Sequence, residues 1–150
     1  MKKKLALWSI IITLGTASVS AQDSGFGAGV MFGQPTGISL KMWMTDATAL
    51  DAGVAWSFYD NGYFRVHVDF LMHKHHFIEV SEGNLAGYIG IGPRLGFGND
   101  FVIGVRVPLG FDYMFEGAPV DIFLEVAPGL DLTPATKGFV EGGLGVRYFF

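Results

Sequence analysis

The sequence predicts an all-β chain, an eight-stranded antiparallel up-and-down transmembrane β-barrel behind an N-terminal signal peptide. Three observations carry this. Apolar and polar residues alternate with period two, turn signals cut the chain into about eight such segments, and the charges of a segment share one parity while the other parity stays apolar. Composition agrees. Of 150 residues, 50% are hydrophobic and 16% charged, against a usual charged share of about 25%, and mean hydropathy is +0.39. A disordered chain is thereby excluded and an ordinary soluble enzyme disfavoured. Cysteine is absent, which removes disulfide scaffolds, Cys-based zinc sites and thiol catalysis.

The first element is an address label. Met1 to Lys4 is a positive n-region, residues 5–14 are apolar, and Val19-Ser20-Ala21 has the small-x-small pattern of a signal-peptidase site. A helical span needs about 20 residues, so this stretch reads as secretory rather than as an anchor. Cleavage between Ala21 and Gln22 divides the chain into a signal peptide, 1–21, and a single barrel domain, 22–150. With the three n-region lysines gone, seven Lys and Arg stand against 14 Asp and Glu, a net of −7. That balance argues against nucleic acid as a partner.

The strand segments run near 25–33, 37–45, 48–58, 62–73, 85–97, 101–115, 119–131 and 138–150. Between them stand Gln34-Pro35-Thr36, Thr45-Asp46-Ala47, Asp60-Asn61-Gly62, Gly98-Asn99-Asp100, Glu116 to Pro119 and Thr133 to Lys137, the Gly, Pro, Asn and Asp clusters of hairpins. In 101–115, Ile103, Val105, Leu109 and Phe111 take one parity and Gly104, Arg106, Gly110 and Asp112 the other. In 119–131, Ile122, Leu124 and Val126 alternate with Asp121, Glu125 and Asp131. Segment 62–73 sets Phe64, Val66, Val68, Phe70 and Met72 against Arg65, His67, Asp69 and His73. The last segment sets Val140, Leu144, Val146, Tyr148 and Phe150 against Glu141 and Arg147.

A soluble sandwich or lipocalin-like barrel also alternates, but its polar face is rich in Lys, Glu, Ser and Thr throughout. Here that parity is mostly Gly and Ala with spaced single charges, a mixture that suits the inside of a narrow closed barrel. The uncharged parity suits lipid, where an Arg or Lys at mid-depth costs about 2–4 kcal/mol. Lipid also forbids open sheet edges, so the sheet must close. Aromatics form two expected girdles: Phe32, Trp56, Phe58, Phe64, Phe97 and Phe101 at one rim, and Phe26, Phe70, Tyr113, Phe115, Tyr148 and Phe150 at the other.

The C-terminal Gly145-Val146-Arg147-Tyr148-Phe149-Phe150 resembles the terminal signature of bacterial outer-membrane proteins. The whole chain after Ala21 resembles small eight-stranded barrels of the OmpA/OmpX-like class, and in particular a family of exported barrels without assigned chemistry. The stretches carrying that second likeness are Gly33 to Lys41, Gly92-Pro93-Arg94-Leu95, Gly104 to Pro108 and Asp131-Leu132-Thr133-Pro134. The resemblance implies an outer-membrane location with lipid and lipopolysaccharide as surroundings. It also implies periplasmic chaperones and the barrel-assembly machinery as partners, with Val146, Tyr148 and Phe150 as the assembly signal. A C-terminus on the periplasmic side then puts short outer loops at Gln34 to Thr36, Tyr59 to Gly62, Gly98 to Asp100 and Leu132 to Lys137. The longest connection, 75–84, falls on the periplasmic side, as a partner-binding loop or a misplaced strand.

The inward parity carries Lys41, Arg65, Arg94, Arg106 and Arg147 against Asp51, Asp69, Asp112, Asp121, Glu125 and Glu141. Near-balanced charge in a narrow lumen predicts a structural web of Arg–carboxylate pairs rather than an ion path. His73 and His75 share a face with Glu79 and Glu82 nearby, but a third fixed ligand is missing, so no metal or other cofactor is expected. The deacylase kind of lipid A enzyme resembles a site with His and Ser two apart on a strand. No His here precedes a Ser by two, and neither Ser39 nor Ser57 stands beside a His. The expectation is a monomeric structural or interaction barrel without catalytic chemistry. A surface adhesin and a lipid A-modifying enzyme are the alternatives.

Overall fold

Alternation commits each segment to a strand, and short turns commit neighbouring strands to antiparallel pairing. The computed structural model describes residues 25–150 apart from 35, 58–62 and 99. Residues 1–21, with the Ala21–Gln22 cleavage point, therefore lie outside the described residues, as does Phe58. The strands are β1 (Phe26–Gln34), β2 (Gly37–Trp43), β3 (Thr48–Ser57), β4 (Tyr63–Ile78), β5 (Asn84–Phe97), β6 (Val102–Arg106), β7 (Leu109–Met114), β8 (Val120–Thr133) and β9 (Lys137–Phe149). They form one antiparallel sheet. It closes on itself where β1 meets β9, from Gly27↔Phe149 to Gln34↔Gly142. The Phe150 N–H donates to the Phe26 carbonyl at 2.8 Å at the end of that seam.

Nine strands make eight staves. β6 and β7 are one stave interrupted in name only, because β5 pairs with both in an unbroken register. That register runs from Asn84↔Met114 to Ile89↔Leu109 and on through Gly92↔Arg106 to Gly96↔Val102. The interruption falls at Val107-Pro108, where proline has no N–H to give the ladder. Its carbonyl still accepts from Gly90 N–H at 2.9 Å, and Val107 N–H reaches the Pro128 carbonyl at 2.9 Å. Inside and outside therefore keep their parity across the proline, with Gly104, Arg106, Pro108, Asp112 and Met114 all buried.

Two expectations are corrected. Half of the 75–84 connection is strand, since β4 continues to Ile78 and β5 begins at Asn84, leaving 79–83 as the turn. The reason is a bulge. Pairing runs regularly to Lys74↔Gly87 and resumes at Ile78↔Leu85, so β4 carries two residues more than its partner over that interval. His76 takes a φ of 52°, and Asn84 holds the kink by accepting the His76 N–H at 2.7 Å. Phe70 does not stand at a rim, because it pairs with Leu50 and Ile91 well inside β4. The other girdle contacts lie near the strand ends: Phe64–Phe97 at 6.2 Å and Phe97–Phe101 at 5.2 Å between ring centroids at one rim, Tyr113–Phe115 at 4.9 Å and Tyr148–Phe150 at 5.3 Å at the other.

The ring interior is narrow enough that large side chains need glycine opposite them. A Cβ on Gly27 would sit 2.7 Å from the Phe149 ring. Trp43, Ala49, Ala86, Met114 and Phe149 form a buried apolar cluster. They lie near the C-terminal end of β9, and the charges occupy the interior beyond them.

Candidate functional site

Cross-strand register puts opposite charges side by side in the interior. Lys41 on β2 faces Asp51 on β3, and Asp121 on β8 faces Arg147 on β9, pairs that stabilise a sheet. Asp51 and Asp69 also face each other across β3 and β4, a like-charge juxtaposition that costs energy unless each finds its own cation. Each does: Arg147 reaches Asp51 at 3.6 Å, and Arg106 Nε reaches Asp69 at 3.3 Å.

These contacts belong to two clusters. Toward the Trp43 end, Arg147 contacts Asp121 at 3.0 Å and Asp112 at 3.5 Å. Lys41 donates to Asp112 at 2.5 Å and to His73 Nε2 at 2.7 Å. The Arg147 guanidinium lies 4.1 Å from the Phe123 ring centre, and the Lys41 ammonium 4.3 Å from that of Trp43. Toward the other end, Arg106 donates to Glu125 and, at 3.1 Å, to Glu141. Arg94 pairs with Glu141 and, at 2.6 Å, with Asp131, its guanidinium 3.5 Å from the Phe139 ring centre. Arg65 approaches Glu141 at 3.5 Å. Tyr88 donates its hydroxyl to Glu125 at 2.8 Å.

Every interior residue named from the sequence therefore lies inside the ring. Lys41, Asp51, Asp69, Arg94, Arg106, Asp112, Asp121, Glu125, Glu141 and Arg147 are buried, while the Arg65 side chain remains 27% exposed. Asp131, Tyr88, His67 and His73 also belong to the network, although the sequence reading did not count them in. Inward parity was the signal for all four.

Chemically the network consists of charges neutralising one another. Arg106 donates to His67 Nδ1 at 3.2 Å, and Lys41 donates to His73 Nε2. Both imidazoles must accept there, because Arg and Lys cations have no acceptor to offer. An imidazole nitrogen occupied in this way is not free to take a proton from a serine, and Ser39 is buried besides. His75 Nε2 lies against the Asp46 carbonyl, and its Nδ1 against the Asn84 amide at 2.6 Å. Among the described residues no group of three His, Cys, Asp or Glu is arranged to hold a metal ion.

Val146 and Tyr148, on the outward parity of β9, pair with Ile122 and Val120 on β8 and with Val30 and Ala28 on β1. Phe150 follows directly beyond them.

Comparison with known proteins bears on the fold. No protein-family model matches the sequence, and neither does any curated protein. Among solved structures, the chain is similar to the N-terminal β-barrel domain of Pseudomonas aeruginosa OprF, with a TM-score of 0.64 and 16% sequence identity. The match covers 83% of this chain and 95% of that domain.

Proposed function

We propose that this chain is an integral barrel of the bacterial outer membrane, a structural or interaction component with a charge-plugged interior and no catalytic chemistry. One observation carries the reading: the barrel is inverted relative to a soluble protein. Lys41, Asp69, Asp112 and Asp121 are 0% exposed, while Leu124 is 56%, Ile91 57% and Val140 70% exposed. An apolar belt around the whole ring far exceeds the few hundred Å² that soluble monomers leave exposed. A closed sheet meets the demand of lipid that every backbone group be paired internally. The likeness in fold to the OprF barrel domain supports the same reading.

Nitroxide labels at 105 and 106 test it in lipid vesicles. A label at 105 should be quenched by lipid-soluble oxygen, and one at 106 should be shielded from it. The reverse pattern, or equal access by water-soluble reagents, would contradict the membrane reading.

The same reading assigns a role to the chain end. Val146, Tyr148 and Phe150 would present the assembly signal to the barrel-assembly machinery after periplasmic chaperones deliver the chain. Deleting Phe150 should lower the amount of heat-modifiable barrel in the outer membrane and leave chain in the periplasm. Assembly at the wild-type level would reduce Phe150 to an ordinary wall residue.

A further inference from the structure

The bulge in β4 shapes the outer wall. The two additional residues near His75 and His76 carry Phe77 outward, where it is 51% exposed, and its ring leans over Gly87 on β5. A Cβ there would lie 3.0 Å from Phe77 Cγ, so glycine lets the ring sit closer than a side chain at 87 would. Phe77 meets Phe111 with ring centroids 5.9 Å apart. Together they wall a groove of about 630 Å³ that runs on over Met72, Ile89, Leu109 and Leu124. That size lies within the about 300–1,000 Å³ of small-molecule sites. Lys74 stands at its edge, exposed, with its ammonium 5.8 Å from the Phe77 ring centre. Among the described residues Lys74 is the strand cation on the outward parity. Lys41, Arg65, Arg94, Arg106 and Arg147 all point inward, and Lys137 opens β9 on the inward parity at the opposite rim.

From this juxtaposition we infer that the groove binds one anionic glycerophospholipid, with an acyl chain along Met72, Ile89 and Leu124 and the phosphate on Lys74. The inference rests on the membrane reading above. A ring of uncharged wall gives ordinary lipid no preferred position, whereas one ammonium beside one apolar groove selects a head and a tail together. Lys74 lies near the rim that also holds the end of β9, on the periplasmic side if the C-terminus faces that way. The lipid is therefore a phospholipid of the inner leaflet rather than lipopolysaccharide of the outer one.

Native mass spectrometry of the folded barrel tests this with dioleoyl phosphatidylglycerol, dioleoyl phosphatidylcholine and lipid A offered in turn. The wild type should retain one phosphatidylglycerol in preference to phosphatidylcholine. Lys74→Ala should weaken that retention about fivefold, the factor for one lysine at an anionic lipid surface, and Lys74→Arg should restore it. Among the described residues Lys74 makes no ion pair, so heat-modifiability of these variants should match the wild type. Equal retention of the two phospholipids, or no response to Lys74→Ala, would overturn the site and leave only nonspecific wall lipid. Preference for lipid A would overturn the leaflet assigned. A chain that does not enter vesicles at all would overturn the membrane reading first, which separates the two failures.

Discussion

Arg106→Ala is expected to lower the unfolding free energy of the barrel by about 3–5 kcal/mol. Arg106 is 1% exposed, and its guanidinium serves three carboxylates: Glu125, Glu141 at 3.1 Å and Asp69 at 3.3 Å. Removing it leaves Asp69 and Glu125 buried without that cation and Glu141 with Arg94 and Arg65, and the uncompensated charge dominates over lost packing. Arg65→Ala is the matched control. Its side chain is 27% exposed and lies 3.5 Å from Glu141, so a loss of about 0–1 kcal/mol is expected. Urea titration of both variants in lipid vesicles reads the difference. Equal stabilities would show that the Arg106 cluster is solvated and that the interior is not plugged.

Leu124→Arg is the second large effect, expected at about 2–4 kcal/mol in a bilayer. Leu124 sits inside β8, opposite Phe111 on β7 and Leu144 on β9, with its side chain on the apolar belt. A guanidinium there must either shed its hydration or draw water and headgroups inward. The same substitution at Phe101, near a rim, should cost about 0–1 kcal/mol because the side chain reaches the interface. Refolding equilibria in vesicles measure both. A Leu124→Arg barrel as stable as the wild type would show that this face does not meet hydrocarbon.

How far the sequence could be read depends on the range of the interaction involved. Parity is local: Arg65, Asp69 and their neighbours two apart report the inward face without reference to any other strand, and the structure keeps that face throughout. The identity of partners is not local. Arg106 meets Asp69 from β4, Glu125 from β8 and Glu141 from β9, and which carboxylates come level with it depends on the register and tilt of three staves. Asp131 stands at the end of its segment, where parity alone does not fix a partner, and the Tyr88 ring reads as apolar although its hydroxyl reaches Glu125. The end of β4 is hidden for a different reason. His73-Lys74-His75-His76 breaks the alternation and looks like a solvated loop, whereas a bulge with His76 at φ 52° and an asparagine clamp lets the strand absorb the break. The clamp comes from Asn84, eight residues on, beyond the reach of a period-two reading.

The closing seam has a consequence for how the ring comes into being. Seven of the eight joints between staves link consecutive segments and can form as hairpins, each closing a short loop. The joint between β1 and β9 brings Gly27 against Phe149, almost the full length of the described chain apart. Its loop-closure entropy is recovered only after the intervening hairpins have shortened the effective distance. The last strand must therefore be present before the first has a lasting partner on its free side. Until then both carry unpaired N–H and C=O groups, and each is a template for pairing with another chain. β1 is one of these two edges. It opens with Phe26 and Gly27 and has glycine again at 29 and 33, and glycine in a strand interior weakens the hold of any strand that pairs with it before β9 does.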